Sequence, residues 1–414
     1  MLRMDIKFIK LASFVLSIFF FLTLFSRLCN MINVDLYIQQ LMSVTFLLGG
    51  FFSATRIKFH RFDILMVLYL FYIIFNGIVI DYDYHSVFLY KALLSHIFPM
   101  MCYFVGRYTN VAIEKYLENM KWPLIFAMIC GIIFYFIQPS WYVIMKESQL
   151  RAGATDSYIA EIYRLSSFWG HPYVIGYATL LYSIYETFLI TKGLKSKKSL
   201  YYHLLTLFIC LIVLMLAQLR VTLFIYVCSL LYMILFAQKS SLSKKIRLIF
   251  SMVFLILIFS IFFIRIAAES MDYITGHMLQ FFESDSMSNR FEHTAGGIES
   301  YTLLGDGLGR YGYLAREYGK WAIVDNQFQC HLAELGYIGF TLLLFILFFT
   351  LKKCIRQKSL LIENSIFAFF CVAMLGASVL SNHHQFNYLF WYIVGCLWTQ
   401  KKKINKLEQN KVLI

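Results

Sequence analysis

Charge is scarce in this chain. Asp, Glu, Lys and Arg make up only 14% of its 414 residues, while 60% are hydrophobic. Soluble domains run near a quarter charged and about half apolar, so the composition excludes an ordinary water-soluble domain. Acidic residues are the rarer sign, 23 against 37 basic, which leaves a formal charge of +14. The nine cysteines contain no CxxC pair and no metal-ligand spacing, which argues against a zinc ribbon or a dithiol redox motif. Most lie in apolar runs, where cysteine is usually a small core residue. Only Cys29 and Cys330 fall in external segments. Internal repeats and low-complexity tracts are missing. No small-residue cleavage site follows the apolar stretch Phe8 to Phe25, so that stretch is read as a first membrane helix rather than a signal peptide.

What the chain does have is a succession of apolar runs. A membrane span needs about 20 apolar residues. Candidates lie near 8–27, 35–53, 64–80, 86–106, 122–138, 171–190, 203–218, 221–237, 248–266, 333–350, 360–380 and 386–399. The expectation is an all-α polytopic membrane protein of twelve helices, one integral domain over 1–414, with both termini cytoplasmic. The basic clusters Lys192–Lys198, Lys239–Arg247, Lys352–Lys358 and Lys401–Lys411 then fall inside, and the acidic turn Asp81–Asp83 outside. That is the positive-inside bias. It accounts for the net charge without nucleic-acid binding.

The run 204–236 is too long for one span. As a single helix it would cover roughly 50 Å at about 1.5 Å per residue, against a hydrocarbon core of about 30 Å. Two short helices meeting at Gln218-Leu219-Arg220 keep both flanking basic clusters inside and set Arg220 near the outer surface. A lone charge there is a functional candidate. Two outer segments are long, 139–170 and 267–332. Loops of that length are functional or disordered, and Phe281, Tyr301, Tyr311 and Trp321 argue for short helices lying over the membrane.

The cations divide by type. Outside the cytoplasmic segments lie eight arginines (Arg27, Arg151, Arg164, Arg220, Arg265, Arg290, Arg310, Arg316) and only three lysines (Lys91, Lys146, Lys320). Lysine on the inner side sets orientation. Guanidinium on the outer side binds phosphate or carboxylate in a bidentate fork that ammonium cannot form. The outer face is therefore equipped for an anion.

Three outer motifs carry polar groups. Arg164-Leu-Ser-Ser-Phe-Trp-Gly-His-Pro runs into the sixth span. Arg164 and His171 there either face an outer cavity at a helix N-terminus, which favours anions, or serve as an interfacial anchor and a helix start. Asn289-Arg290, with Glu292 and Glu299, precedes Leu304-Gly305-Asp306-Gly307-Leu308-Gly309-Arg310. The glycines either bring N–H groups to a ligand as an anion nest or form a turn between loop helices. No strand precedes them, so this is not a dinucleotide fingerprint. Asp325-Asn326-Gln327-Phe328 opens the tenth span, whose Gly336 and Gly339 permit close helix packing. Glu334 lies inside the apolar run and needs a partner, for which an arginine is the obvious choice. His293 and His331 have no metal-ligand spacing around them. The pair His383-His384 sits in a short outer turn.

Taken together, these segments resemble the O-antigen polymerase and O-antigen ligase superfamily. The likeness covers about 164–345. Four pieces carry it in order: Arg164 with Phe-x-x-His-Pro at 168–172, the helix pair meeting at Arg220, Arg290 followed by Leu-Leu-Gly-Asp-Gly-Leu-Gly at 303–309, and Asp325, ten intervening residues, then Gly336 with Gly339. Ligases commonly have His where Asp325 stands, so this chain looks more like the polymerases. The Ser usual beside the helix-pair Arg is Leu219 here. The resemblance implies a GT-C-like helical fold, with the large external loop and its short helices between helices nine and ten. It implies a polyprenyl-diphosphate-dependent glycosyltransferase of the inner membrane, multi-pass, with its site on the periplasmic or external face. Its substrates would be undecaprenyl-diphosphate-linked oligosaccharides, polymerised into O-antigen (lipopolysaccharide) or capsule. Arg290, Asp325 and Glu292 are the expected catalytic residues. Arg164, Arg220, Arg290, His171, Gly305, Gly307 and Asn326 are expected to bind diphosphate or glycan. No metal and no cofactor is expected. The lipid bilayer is one partner; a chain-length regulator and a flippase of the same pathway are others. A lipid-linked oligosaccharide flippase or transporter, or an O-antigen ligase, are the alternative functions.

Overall fold

The computed structural model describes residues 60–80, 86–109, 113–150, 164–169, 172–192, 197–217, 220–236, 301–312, 315, 323, 326–357, 360–377, 379–382 and 384–399. Among them there are helices, turns and one 3-10 turn, and no strand. The helices are α1 Arg61–Val79, α2 Ser86–Thr109, α3 Ile113–Asn119, α4 Lys121–Ile137, α5 Ser140–Leu150, α6 Pro172–Lys192, α7 Lys197–Leu216, α8 Arg220–Phe236, α9 Gln327–Arg356, α10 Leu361–Ala373, α11 Val379–Asn382 and α12 His384–Trp398. The 3-10 turn is Ser167–Trp169.

Three of these, α1, α6 and α9, are long and apolar enough to cross a bilayer. Helix α4 and the first part of α5 pass the same test together, as a pair bent by 101°. The expected spans 8–27, 35–53 and 248–266 lie outside the described residues. One face of α1 exposes Leu68, Phe71, Phe75 and Ile78, and α9 exposes Phe345 and Phe348. Apolar side chains in that position suit lipid. By contrast α6 is buried along nearly all its length and forms the centre of the bundle, packed against α4, α7, α8 and α10.

Local sequence fixes several boundaries. His60 and Asp63 form a reciprocal capping box at the start of α1, which satisfies first-turn N–H groups. Gln138, at φ 48°, ends α4 in the left-handed region. Helices α2 and α12 pack along their lengths, because Gly106 faces the Tyr392 carbonyl and Gly395 faces the Tyr103 carbonyl; a Cβ at either would overlap backbone. Small residues at such a crossing let two backbones approach.

The run 204–236 is divided as its length required, α7 ending at Leu216 and α8 starting at Arg220. The expected span 360–380 is not one helix. It stops at Ala373, turns through Met374–Ala377 and resumes as the short α11. The cause is the start of α9: Gln327 N donates to Met374 O at 3.0 Å, and Leu380 N donates to Gln327 Oε1 at 2.6 Å. These bonds satisfy backbone groups freed by the break, as a broken span requires.

The bundle has two distinct ends. At one, buried Asp63 accepts from Arg107 Nε at 3.2 Å, from Tyr103 OH, and from Tyr108 OH at 3.2 Å; Arg107 also donates to the Trp398 carbonyl. Lys353 lies 4.2 Å over the Trp398 ring. The start of α9 and the start of α6 share the other end, since Tyr177 of α6 packs edge-on against Phe386 of α12 at 5.3 Å and α11 binds Gln327.

Candidate functional site

The second end is built around a break in α9. Gly336 adopts φ 63°, ψ −171°, which interrupts the helix one residue after Leu335. Into this break fits the glycine loop 301–312. Gly305, Gly307 and Gly309 all have positive φ, a region that favours glycine. Gly305 lies against the Glu334 carbonyl and the Gly336 amide so closely that a Cβ would overlap both. The loop takes up the helix bonds that the break frees. Asp306 N donates to Ala333 O at 2.8 Å and Gly307 N to Glu334 O at 2.9 Å, while Tyr337 N and Ile338 N donate to Thr302 O and Leu303 O, both at 3.2 Å. Helix α1 buttresses the junction: Tyr72 OH donates to Leu335 O at 2.7 Å and Asn76 Nδ2 to Leu304 O at 2.7 Å.

Glu334 is 1% exposed. Its Oε1 accepts Tyr311 N at 3.0 Å and Gly312 N at 2.6 Å, and Gly309 N and the Cys330 thiol also donate to the carboxylate. Among the described residues no arginine pairs with Glu334; backbone amides of the glycine loop do. The glycine loop does form an anion nest, and the anion in it is this carboxylate. Tyr311 is held in turn by Asp306 Oδ2 at 2.5 Å. Burial, with Tyr337 beside it, raises the Tyr301 phenol above its ordinary value.

One helical turn before Glu334 lies a buried relay. Because Gln327 Oε1 accepts from Leu380 N, its amide nitrogen donates to His331 Nδ1 at 2.6 Å. That assigns the hydrogen to His331 Nε2, which meets Tyr69 OH at 3.0 Å. The His96 ring of α2 lies 6.2 Å from the His331 ring. Asn326 caps α9, its Oδ1 accepting Phe328 N at 2.9 Å and Gln329 N at 3.1 Å.

Arg164 sits on a second segment of the same end. Leu165 N donates to Leu216 O at 3.0 Å, four residues before Arg220 opens α8. Ser167 Oγ donates to Ala127 O at 2.7 Å, and Gly131 leaves room for Ser167 against α4. Lys146 of α5 is 2% exposed; it donates to the Arg164 carbonyl at 2.9 Å and lies 4.3 Å over the Tyr142 ring. Tyr142 OH accepts from Ser166 N at 3.1 Å. The Arg164 Nε is buried with no hydrogen-bond partner, and no carboxylate among the described residues pairs with it. A buried donor on a fixed charge is costly until an acceptor reaches it. This segment is therefore chemically set for an anion.

The structure thus brings Arg164, the backbone of Arg220, Gly305, Gly307 and Asn326 to one end of the bundle. Asp325, Arg290, Glu292 and His171 lie outside the described residues. The N–H of Gly307 is committed to α9, and that of Gly305 to Thr302 Oγ1 at 2.8 Å. Cys330, expected in an external segment, is buried against Ile323 and Ala333, and its thiol is in hydrogen-bond contact with Glu334. Sequence reasoning missed Tyr69, Tyr72, Asn76, Gln327, His331 and the closeness of Lys146 to Arg164. One signal was there. Gln327, His331 and Glu334 recur at intervals of four and three, a single helix face. Among the described residues no group of three His, Cys, Asp or Glu side chains gathers as a metal site.

Fold and composition together define the class: an all-helical membrane protein with three to four candidate spans among the described residues. No family model matches the chain, and no curated protein matches it.

Proposed function

We propose that the protein polymerises undecaprenyl-diphosphate-linked oligosaccharide repeat units into a surface polysaccharide, O-antigen or capsule, at the outer face of the cytoplasmic membrane. The observation that carries this reading is Arg164, a guanidinium with a buried, unpartnered Nε beside Lys146 and close in the chain fold to Arg220. In this reading the full chain has twelve spans with both termini cytoplasmic, a GT-C-like arrangement, and an external loop 267–332 with short helices.

An acceptor sugar hydroxyl attacks the anomeric carbon of the growing chain. The bond to the diphosphate breaks, and the diphosphate leaves with the electron pair. Arg164, Arg220 and Arg290 hold that developing charge, as preplaced cations do for leaving groups. Asp325 or Glu292 takes the hydroxyl proton. No metal or cofactor enters. A chain-length regulator and a flippase act on the same lipid-linked units.

A transport reading has one supporting observation. Glu186 and His203 form a hydrogen-bonded pair buried between α6 and α7, and transporters place charges within their spans. Deletion followed by glycan analysis separates the cases. Single repeat units on the surface in place of long chains support polymerisation. Lipid-linked units trapped on the cytoplasmic face would indicate a flippase. Polymer left on its lipid carrier would indicate a ligase.

A further inference from the structure

The peptide group that follows Arg164 is held at both of its polar ends. Its carbonyl accepts from Lys146 Nζ of α5 at 2.9 Å. Its N–H, that of Leu165, donates to Leu216 O at the end of α7 at 3.0 Å. The next peptide group is held as well: Ser166 N donates to Tyr142 OH at 3.1 Å, and Ser167 N reaches the same oxygen. Ser167 Oγ then donates to Ala127 O of α4 at 2.7 Å. Ser167 sits at φ 53°, in the left-handed region, although it is not a glycine. Such a conformation persists only where the surroundings over-determine it.

Two of these ties come from one face of one helix. Positions 142 and 146 are one turn apart on α5, and both side chains are buried. Aromatic packing joins that helix to the Arg164 segment. Phe134 of α4 packs edge-on against Trp141 at 4.9 Å and against Phe168 at 5.1 Å, and the Tyr142 ring lies 5.6 Å from it. Taking an ammonium out of water is costly, and Lys146 is only 2% exposed. An apolar side chain would fill the same place without that cost. Packing therefore does not account for Lys146, whereas its bond to the Arg164 carbonyl does.

Direction matters because of what Arg164 carries. Its Nε is buried without a hydrogen-bond partner. A guanidinium meets an anion as a planar fork, and the aim of the fork depends on how the side chain leaves the backbone. Fixing the peptide plane next to the Arg164 Cα restricts that departure. Preplaced groups lose less freedom when a ligand arrives. The Leu165–Leu216 bond also sets the segment against the break that Arg220 follows.

We propose that Lys146 and Tyr142 of α5 are positioning residues for the anion site: by holding the backbone at 164–166 they aim the Arg164 guanidinium at the diphosphate. Neither touches the ligand. The inference rests on the reading in which Arg164 holds that diphosphate, and its test separates the two.

The full-length protein in lipid nanodiscs is titrated with farnesyl diphosphate by calorimetry, with empty nanodiscs as the blank. Wild type is expected to bind, and Arg164→Ala to raise Kd at least about tenfold. Lys146→Met, which keeps the length of the side chain and removes the ammonium, is expected to raise Kd about tenfold. Tyr142→Phe, a milder change that decides the matter if Lys146→Met does not fold, is expected to raise it about threefold. Combined with Arg164→Ala, either change should add less than about a factor of two, since residues acting through one another are not additive. A fully additive double variant overturns the proposal, because α5 would then act without Arg164. So does an unchanged Kd with a lower bound fraction, the mark of a purely structural role. No binding by wild type, or binding indifferent to Arg164→Ala, removes the diphosphate reading and this inference with it.

Discussion

Glu334 accepts the amide hydrogen of Gly312 at 2.6 Å, although 22 residues separate them. Together with the bond from Tyr311, this anchors the glycine loop into the break of α9. The carboxylate occupies the place an external anion would take in such a nest, so the loop serves to hold α9 in shape. Carboxylate acceptors for backbone N–H groups make stronger hydrogen bonds than neutral ones.

Replacing Glu334 by Gln keeps an oxygen for those amides and removes the charge. The expected loss is about 1.5–3 kcal/mol of stability. Glu334→Ala leaves both N–H groups buried and unpaired and is expected to lose more. Thermal unfolding in detergent, followed by tryptophan fluorescence, checks both. An unchanged melting point for Glu334→Ala would contradict this anchoring role.

Gly305→Ala is expected to disrupt the same junction by a different route. Its φ of 82° lies in the left-handed region, which costs about 1–2 kcal/mol for a residue with a Cβ. The Cβ would also overlap Glu334 and Gly336 backbone. The combined loss should exceed about 2 kcal/mol, seen as reduced yield of folded protein and faster proteolysis within 301–312.

The function of Arg164 is tested by keeping its charge and removing its fork. Arg164→Lys and Arg290→Lys should each reduce polymer sharply, by about 10²–10³ for a lost transition-state contact. Protein levels in the membrane, measured by immunoblot, should stay near wild type. Normal polymer at normal protein level would remove either residue from the site.

At the opposite end, Asp63 and Arg107 form a buried pair, 0% and 3% exposed at the side chain. Asp63→Ala strands the guanidinium and is expected to cost about 3–5 kcal/mol. The double variant Asp63→Ala/Arg107→Leu should recover more than half of that loss. A double variant no more stable than the single one would show that Arg107 is held by other groups.

Much of the described architecture was legible before folding. The break at Arg220 followed from length alone, since one helix over 204–236 cannot fit a bilayer. The spans 64–80, 122–138 and 171–190 match α1, α4 and α6 within a few residues, because continuous apolar runs leave no other stable backbone in lipid. The break at Ala373–Ala377 was not legible. Its sequence is apolar like its neighbours, and the helix stops there because Gln327, 47 residues earlier than Met374, offers its freed backbone groups partners.

The site divides in the same way. The arginine bias, the glycine loop and the Asn326 start of α9 were visible as residue types in order. Their partners were not. A carboxylate such as Glu334 can be satisfied by an arginine or by amides, and sequence distance does not say which comes near.

By itself, the sequence determined that this is a helical membrane protein and where its apolar runs lie. Those properties are local: apolar length, the Lys and Arg content of each segment, and helix-breaking positions act within a few residues. Only the tertiary structure decided that Glu334 fills the glycine nest, that Arg164 lies beside Lys146 with its Nε unpaired, and that Glu186 meets His203 between two central helices. Each of these depends on which helix packs against which, and burial gives such pairings their energy by removing the water that would otherwise satisfy every one of these groups.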